Sequence, residues 1–136
     1  MAGVKAAIPR VSYADMERWP KDGRRYELYN GEVVEIPAPI LLHQFVLGRL
    51  YLALSAFVQA HGGAVFVAPL DIVLTDFDVV QPDLVFYSPE RVHLLDLRTA
   101  VYHAPDLAIE VLSPGTARND RGRKRQLLAR HHVREY

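Results

Sequence analysis

Two stretches decide the fold of this chain, VQPDLVFY at residues 80–87 and DLAIEVLSP at residues 106–114. Each has the composition of a buried strand, and each carries a carboxylate that the apolar pattern does not explain. The alternation of a strand places Glu110 on one face with Ala108 and Leu112. Because buried carboxylates are rare without a partner or a metal, we expect Asp83 and Glu110 to mark a functional site.

The composition is that of an ordinary globular protein. The chain has 136 residues, 50% of them hydrophobic, with 16 basic and 16 acidic side chains and no cysteine. This length fits a single domain over residues 1–136, and the zero net charge gives no general attraction to nucleic acid. Disulfides and thiolate metal sites are excluded. Since the sequence begins without an apolar signal segment, we expect a cytoplasmic protein.

Local signals near the start predict a short helix followed by a hairpin. Ser12 and Asp15 have the spacing of a helix-starting cap, and Pro20 ends that helix. Asn30-Gly31 separates two strand-like runs within residues 26–36, which is the strongest short-range signal for a β-hairpin.

A helical pattern then runs from about Leu42 to Ala60, where Gly62-Gly63 ends it. The pattern is apolar, but polar residues and a glycine interrupt it and it is short for a bilayer span. We therefore expect a buried core helix and no membrane partner.

The second half predicts three strands and a helix. The strands are residues 64–74, kinked at Pro69, Asp83–Tyr87 and Asp106–Leu112. The helix covers Asn119–Arg130, with Asn119 or Asp120 as its cap. Lys124 lies three and four residues before two leucines, 127 and 128, so it shares the face that they bury. Two acids on adjacent strands with such a lysine suit a divalent cation that activates water for phosphodiester cleavage.

In their order, several motifs resemble the Uma-type endonucleases, a bacterial branch of the restriction-endonuclease-like superfamily named for its PD-(D/E)xK motif. They are YELxxGE (26–32), HQ (43–44), PxD (69–71), VQPDL (80–84), APDLxxEVLSP (104–114) and DxxxK (120–124). The resemblance covers nearly the whole chain from Tyr26. It implies a restriction-endonuclease-like core in which helices flank a mixed sheet, in the order helix, three strands, helix, strand, with a Mg²⁺-dependent site.

The resemblance also implies roles for individual residues. Asp83 matches the aspartate of the Pro-Asp element, and Glu110 matches the acid of the (D/E)xK element. Leu112 stands where that motif has lysine, and Lys124 of the following helix is implied as the replacement. Asp83 and Glu110 would hold Mg²⁺, or Mn²⁺ as a substitute, and Lys124 would assist the nucleophile or stabilise charge.

Asp71 and Glu27 are weaker candidates for metal ligands. Asp71 follows Pro69 and could equally bond the turn. Glu27 alternates with apolar residues, a pattern more typical of the wet face of a strand. His43 could touch the substrate or satisfy the start of the helix.

Each candidate also has a structural interpretation. Asp83 could merely begin a strand, Glu110 could pair with an arginine of the last helix, and Lys124 could be a solvated helix residue. Arg121, Arg123 and Arg125 could contact DNA phosphates, although a charge run is more often a solvated surface.

Three functions remain open at this point. The first is Mg²⁺-dependent phosphodiester hydrolysis of DNA. The second is a catalytically silent domain that serves as an interaction or nucleic-acid-binding module. The third is hydrolysis of a substrate other than DNA. The C-terminal part of the family pattern is missing after Tyr136, so we expect an uncovered sheet edge and a homo-oligomer, with a dimer as the simplest case.

Overall fold

The computed structural model describes Gly3 and residues 8–136. In chain order its elements are α1 (Tyr13–Glu17), β1 (Arg25–Tyr29), β2 (Glu32–Ile36), α2 (Leu41–His61), β3 (Ala64–Val67), β4 (Ile72–Thr75), β5 (Asp78–Val80), β6 (Leu84–Tyr87), a 3-10 turn (Val92–Leu94), β7 (Leu107–Ile109), α3 (Ala117–Arg121) and α4 (Arg123–Arg130). The strands form two sheets, ordered β2-β1-β5-β4 and β3-β6-β7. The fold is mixed α/β, as the sequence predicts.

The N-terminal helix and the hairpin confirm the sequence predictions. Ser12 accepts from the backbone of Asp15 while Asp15 accepts from the backbone of Ser12, so both halves of the capping box form. β1 pairs antiparallel with β2, and Asn30 and Gly31 have φ of 50° and 81°. Positive φ at both central residues is the requirement of the type I′ turn, which Asn-Gly meets at little cost.

The predicted strand over residues 64–74 is instead two strands in different sheets. β3 ends at Val67, and β4 begins at Ile72 beyond Pro69. A proline has no backbone N–H to donate to a ladder, so pairing is interrupted where it stands. The short strand β5, which the sequence analysis missed, joins β4 to β1.

In both sheets, neighbouring strands pair antiparallel. Parallel pairing is limited to two isolated bridges in the described residues, Ile72 with Val101 and Leu107 with Glu135. The mixed sheet that the resemblance implies is therefore represented only by these bridges. The implied order does occur around the second sheet, as α2, the strands β3, β6 and β7, α4, and then the bridge at Glu135.

The long helix is exposed, so the prediction of a buried core helix is wrong. Within α2 only Leu47 is buried, whereas Leu41 and Leu52 are 85% and 67% exposed. One side of α2 packs on β3, and the rings of Phe57 and Phe86 of β6 pack in a T-shaped arrangement. By length and composition α2 is also long and apolar enough to cross a membrane. A helix that is apolar on all sides gives no sign in its sequence of which side is covered.

The last helix is broken at Gly122, whose φ and ψ are −99° and −108°. The predicted single helix is therefore α3 followed by α4, and neither has a side-chain cap. The prediction that Asn119 or Asp120 caps it is wrong, because α3 begins earlier and both residues lie within it. In α4, Leu127 and Leu128 join a core cluster that contains Tyr29 of the first sheet and Tyr87 of the second, and this packing fixes the orientation of Lys124.

Candidate active site

Lys124 is the centre of the candidate site. Its side chain is 3% exposed, and its Nζ lies 2.5 Å from Glu27 Oε1 and 4.0 Å from Asp120 Oδ1. It also makes an ion pair with Glu110 Oε1. Burial alone would lower the pKa of Lys124, but the Glu27 and Glu110 carboxylates outweigh it and raise that pKa. The ammonium is therefore a permanent buried cation enclosed by acids from three parts of the fold.

Glu27 is buried in the centre of the first sheet, so the interpretation of Glu27 as a residue of a wet strand face is wrong. β1 lies between β2 and β5, and Glu27 is 2% exposed. Its Oε1 accepts from the backbone N–H of Gln81 at 2.8 Å in addition to Lys124, and its Oε2 accepts from the Tyr29 hydroxyl at 2.7 Å. With three donors bound to its two oxygens, Glu27 serves the site chiefly by holding Lys124.

Tyr29 connects Glu27 to α3. Its hydroxyl donates to Glu27 and accepts from Asn119 Nδ2 at 2.9 Å. Burial, followed by the nearby Glu27 charge, raises the pKa of Tyr29. The phenol therefore stays protonated and remains a donor to Glu27.

Asp83 connects the start of β6 with the end of β7. Its Oδ2 accepts from the backbone N–H of Val111 at 2.7 Å and lies 3.1 Å from His43 Nε2. Its other oxygen has no hydrogen-bond partner among the described residues. Because Val111 directly follows Glu110, the bond to its N–H brings the two carboxyl groups together.

Glu110 lies immediately after β7, with its side chain 8% exposed. Its partner in α4 is Lys124 rather than an arginine, the alternative suggested by the sequence. Oε1 of Glu110 touches Nζ of Lys124 as an ion pair but accepts no directed hydrogen bond. Burial raises the pKa of Glu110 to about 9, with Asp83 adding to the shift and Lys124 opposing it. Such a carboxyl is poorly satisfied and suited to a cation.

Asp120 and His43 belong to the site more closely than the sequence analysis indicated. Asp120 is 4% exposed, its Oδ2 has no hydrogen-bond partner among the described residues, and burial raises its pKa. The sequence did contain a signal for Asp120: it lies four residues before Lys124, and residues with this spacing share a face of a predicted helix. His43 reaches Asp83 from the first turn of α2, and no local pattern predicts that contact.

Other candidates lie elsewhere. Asp71 accepts from Tyr13 and Gln81 and lines a neighbouring cleft, not the cleft of Lys124. Arg123 bonds Glu32 at 2.9 Å and stacks over Tyr29.

Arg121 and Arg125 are exposed. They make no ion pair with the described residues. Their contact with DNA phosphates stays a prediction.

The site cleft has a volume of about 260 Å³ and is lined by Asp83, Glu110, Asp120, Lys124 and His43 among others. In the described part of the chain, no group of three or more His, Asp or Glu side chains has the geometry to hold a metal. Mg²⁺, however, is commonly bound by one or two carboxylates, with water and substrate phosphate as further ligands. The acids already enclose one cation, Glu110 Oε1 is held by the ion pair with Lys124 without a directed hydrogen bond, and Asp120 Oδ2 is buried with no hydrogen-bond partner among the described residues. The donor set fits a hard divalent cation.

Comparison with known proteins points to nucleases. The model of the family Uma2, described as "Putative restriction endonuclease", matches residues 13–136. A crystal structure from Anabaena variabilis ATCC 29413, described as "a putative nuclease belonging to DUF820", has a TM-score of 0.74 at 17% identity. The match covers 89% of this chain and 69% of that one, and at this identity it shows the shared fold. A search of curated proteins finds no significant match.

Proposed function

Because the chain belongs to the Uma2 family of restriction-endonuclease-like proteins, we propose that it hydrolyses phosphodiester bonds of DNA with Mg²⁺, for which Mn²⁺ can substitute. One observation carries the proposal: Lys124, buried and with a raised pKa, lies in a cleft against Glu27 and Glu110, with Asp83 beside them. A structural ion pair would need one carboxylate, whereas this cluster holds more acids than its lysine can balance.

In this proposal each residue has a separate task. Asp83 and Glu110 would hold the metal, which polarises the phosphate and lowers the pKa of a bound water. Lys124 would place its positive charge beside the phosphate oxygens, where negative charge grows in the transition state. Glu27 would fix the ammonium position, and His43 would orient Asp83 through the contact at 3.1 Å. Glu27 is less suited as a metal ligand because three donors occupy its two oxygens, and Asp71 is less suited because it lines the neighbouring cleft.

The exposed side chains indicate two partners, DNA and a second copy of this chain. Arg121 and Arg125 would contact the DNA backbone. The apolar side chains that α2 exposes, Leu41 and Phe45 among them, support a homodimer, which light scattering can test. We propose a cytoplasmic location, where DNA would be accessible.

The test is cleavage of plasmid and linear DNA in Mg²⁺, in Mn²⁺ and in EDTA. Asp83→Asn, Glu110→Gln and Lys124→Met should each lower metal-dependent cleavage at least about a hundredfold, as expected when a metal ligand or charge stabiliser is lost. Glu90→Gln, an exposed residue outside the site, is the matched control and should cleave normally. DNA binding without cleavage under any metal condition would overturn the nuclease proposal and favour the silent binding module.

A further inference from the structure

A second cleft opens beside the candidate active site. It has a volume of about 480 Å³, within the range of roughly 300–1,000 Å³ typical of small-molecule sites. Its walls come from α1, the turn before β1, and the segment from Pro69 to Asp71. None of the tasks proposed above uses this cleft.

The wall of this second cleft contains an aromatic pair. Trp19 and Tyr26 meet edge to face, with ring centroids 5.2 Å apart and ring planes at 86°. Both rings are half-buried and line the cleft. Aromatic side chains of this kind are the surfaces on which unstacked nucleobases bind, because every base has a π-face.

Polar groups also line the second cleft. Asp71 accepts from the Tyr13 hydroxyl at 3.1 Å and from Gln81 Nε2 at 2.6 Å. A carboxylate can accept about four hydrogen bonds, so Asp71 keeps acceptor capacity for the N–H groups of a base. Lys21 and Arg24 are exposed residues that also line the cleft, and they supply positive charge for flanking phosphates.

The second cleft shares wall residues with the candidate active site. Arg25 and Gln81 line both clefts. The backbone N–H of Gln81 binds Glu27 beside Lys124, while its side chain accepts from Arg25 Nε at 2.8 Å and donates to Asp71. Arg25 has no carboxylate partner among the described ion pairs. A DNA strand with a phosphate in the cleft of Lys124 and a base in the second cleft would therefore pass Arg25, whose guanidinium has no carboxylate partner among the described residues.

From this arrangement we infer that the second cleft binds an unstacked nucleobase of the strand whose phosphate lies at Lys124. The inference rests on the proposed function, and it adds that the substrate is engaged as a single strand or as a locally opened duplex. The base stacks on the pair formed by Trp19 and Tyr26 and donates to Asp71. Lys21 and Arg24 hold the phosphates beside it.

The chain contains one tryptophan, so the fluorescence of Trp19 reports directly on this cleft. The probe is a short single-stranded oligonucleotide in EDTA, which prevents metal-dependent cleavage. A matched oligonucleotide with abasic sites carries the same phosphates without bases. The normal oligonucleotide should quench Trp19 with saturation, and the abasic one should not. Tyr26→Ala should weaken binding about fivefold or more, the lower end of the cost of losing one stacking aromatic, whereas Tyr51→Ala on α2 should not.

Failure of this inference and failure of the proposed function look different. If fluorescence anisotropy shows that the oligonucleotide binds while Trp19 fluorescence stays constant, the base lies elsewhere and the inference is overturned, although the nuclease proposal stands. Equal quenching by the abasic oligonucleotide overturns it as well, because phosphates alone would then be recognised. If neither binding nor metal-dependent cleavage occurs, the proposed function fails and this inference fails with it. The wild-type measurement needs no variant to fold.

Discussion

Lys124 Nζ and Glu27 Oε1 lie 2.5 Å apart although 97 positions separate the two residues in the sequence. The contact ties α4 to β1, an inner strand of the first sheet, while the ion pair of Lys124 with Glu110 ties the same helix to the end of β7 in the second. One ammonium group thus connects the two sheets at the point where the candidate site forms. Stability and the proposed chemistry therefore depend on the same side chain.

Removing this charge should destabilise the fold. Lys124→Met keeps the length of the side chain but leaves Glu27 buried without its cation, and breaking a buried pair on one side costs about 3–5 kcal/mol. Arg125→Met is the matched control, since Arg125 is the exposed neighbour on the same helix, and it should change the free energy of unfolding by less than about 0.5 kcal/mol. Urea denaturation near pH 7 measures both. Equal effects of the two substitutions would show that the buried pair contributes nothing to stability.

The raised pKa of Glu110 predicts that stability falls as pH rises. Its pKa is about 9 in the fold against an ordinary 4.5. Between these values the folded protein binds a proton at Glu110 more readily than the unfolded chain does, so stability decreases with rising pH, by at most about 1.4 kcal/mol per pH unit for this group. Asp120 shifts in the same direction. Urea denaturation from about pH 5 to about pH 9 should show this decrease, and Glu110→Gln should reduce it. An identical profile in wild type and variant would assign the dependence to other groups.

Phosphate binding should depend on Arg121 and Arg125 more than on Arg123. Arg123 is already bonded to Glu32 and Asn119, whereas the other two are exposed. Each lost phosphate contact lowers the slope of log affinity against log salt by roughly one. Anisotropy titrations across a salt series should therefore show flatter slopes for Arg121→Ala and Arg125→Ala, with a smaller change for Arg123→Ala. A wild type whose DNA affinity is insensitive to salt would mean that the basic surface is simply solvated.

Local rules account for the elements that the sequence predicts well. Asn30-Gly31 fixes the hairpin because it tolerates two positive φ values in succession. Ser12 and Asp15 fix the start of α1 through a capping box, in which the side chain of each residue accepts from the backbone N–H of the other. Lys124 faces inward because the two leucines that follow it bury the same side of α4.

Long-range packing decides what the sequence does not reveal. Glu27 follows the alternating pattern of a solvated strand face, and its burial results from a lysine 97 positions away. His43 meets Asp83 across 40 positions. The exposure of α2 depends on how much of its surface the adjoining strands cover, which its mostly apolar sequence, without a distinct polar face, does not encode. No local pattern contains these contacts.

We propose that Asp83 and Glu110 hold one divalent cation beside Lys124, and locating Mn²⁺ by anomalous diffraction tests this site most directly. Crystals grown with Mn²⁺ should show an anomalous peak about 2.1 Å from a carboxylate oxygen of each acid, and crystals of Asp83→Ala should lose it. Wild-type crystals at saturating Mn²⁺ with no peak in the cleft, and with Lys124 still paired to Glu110, would contradict the account.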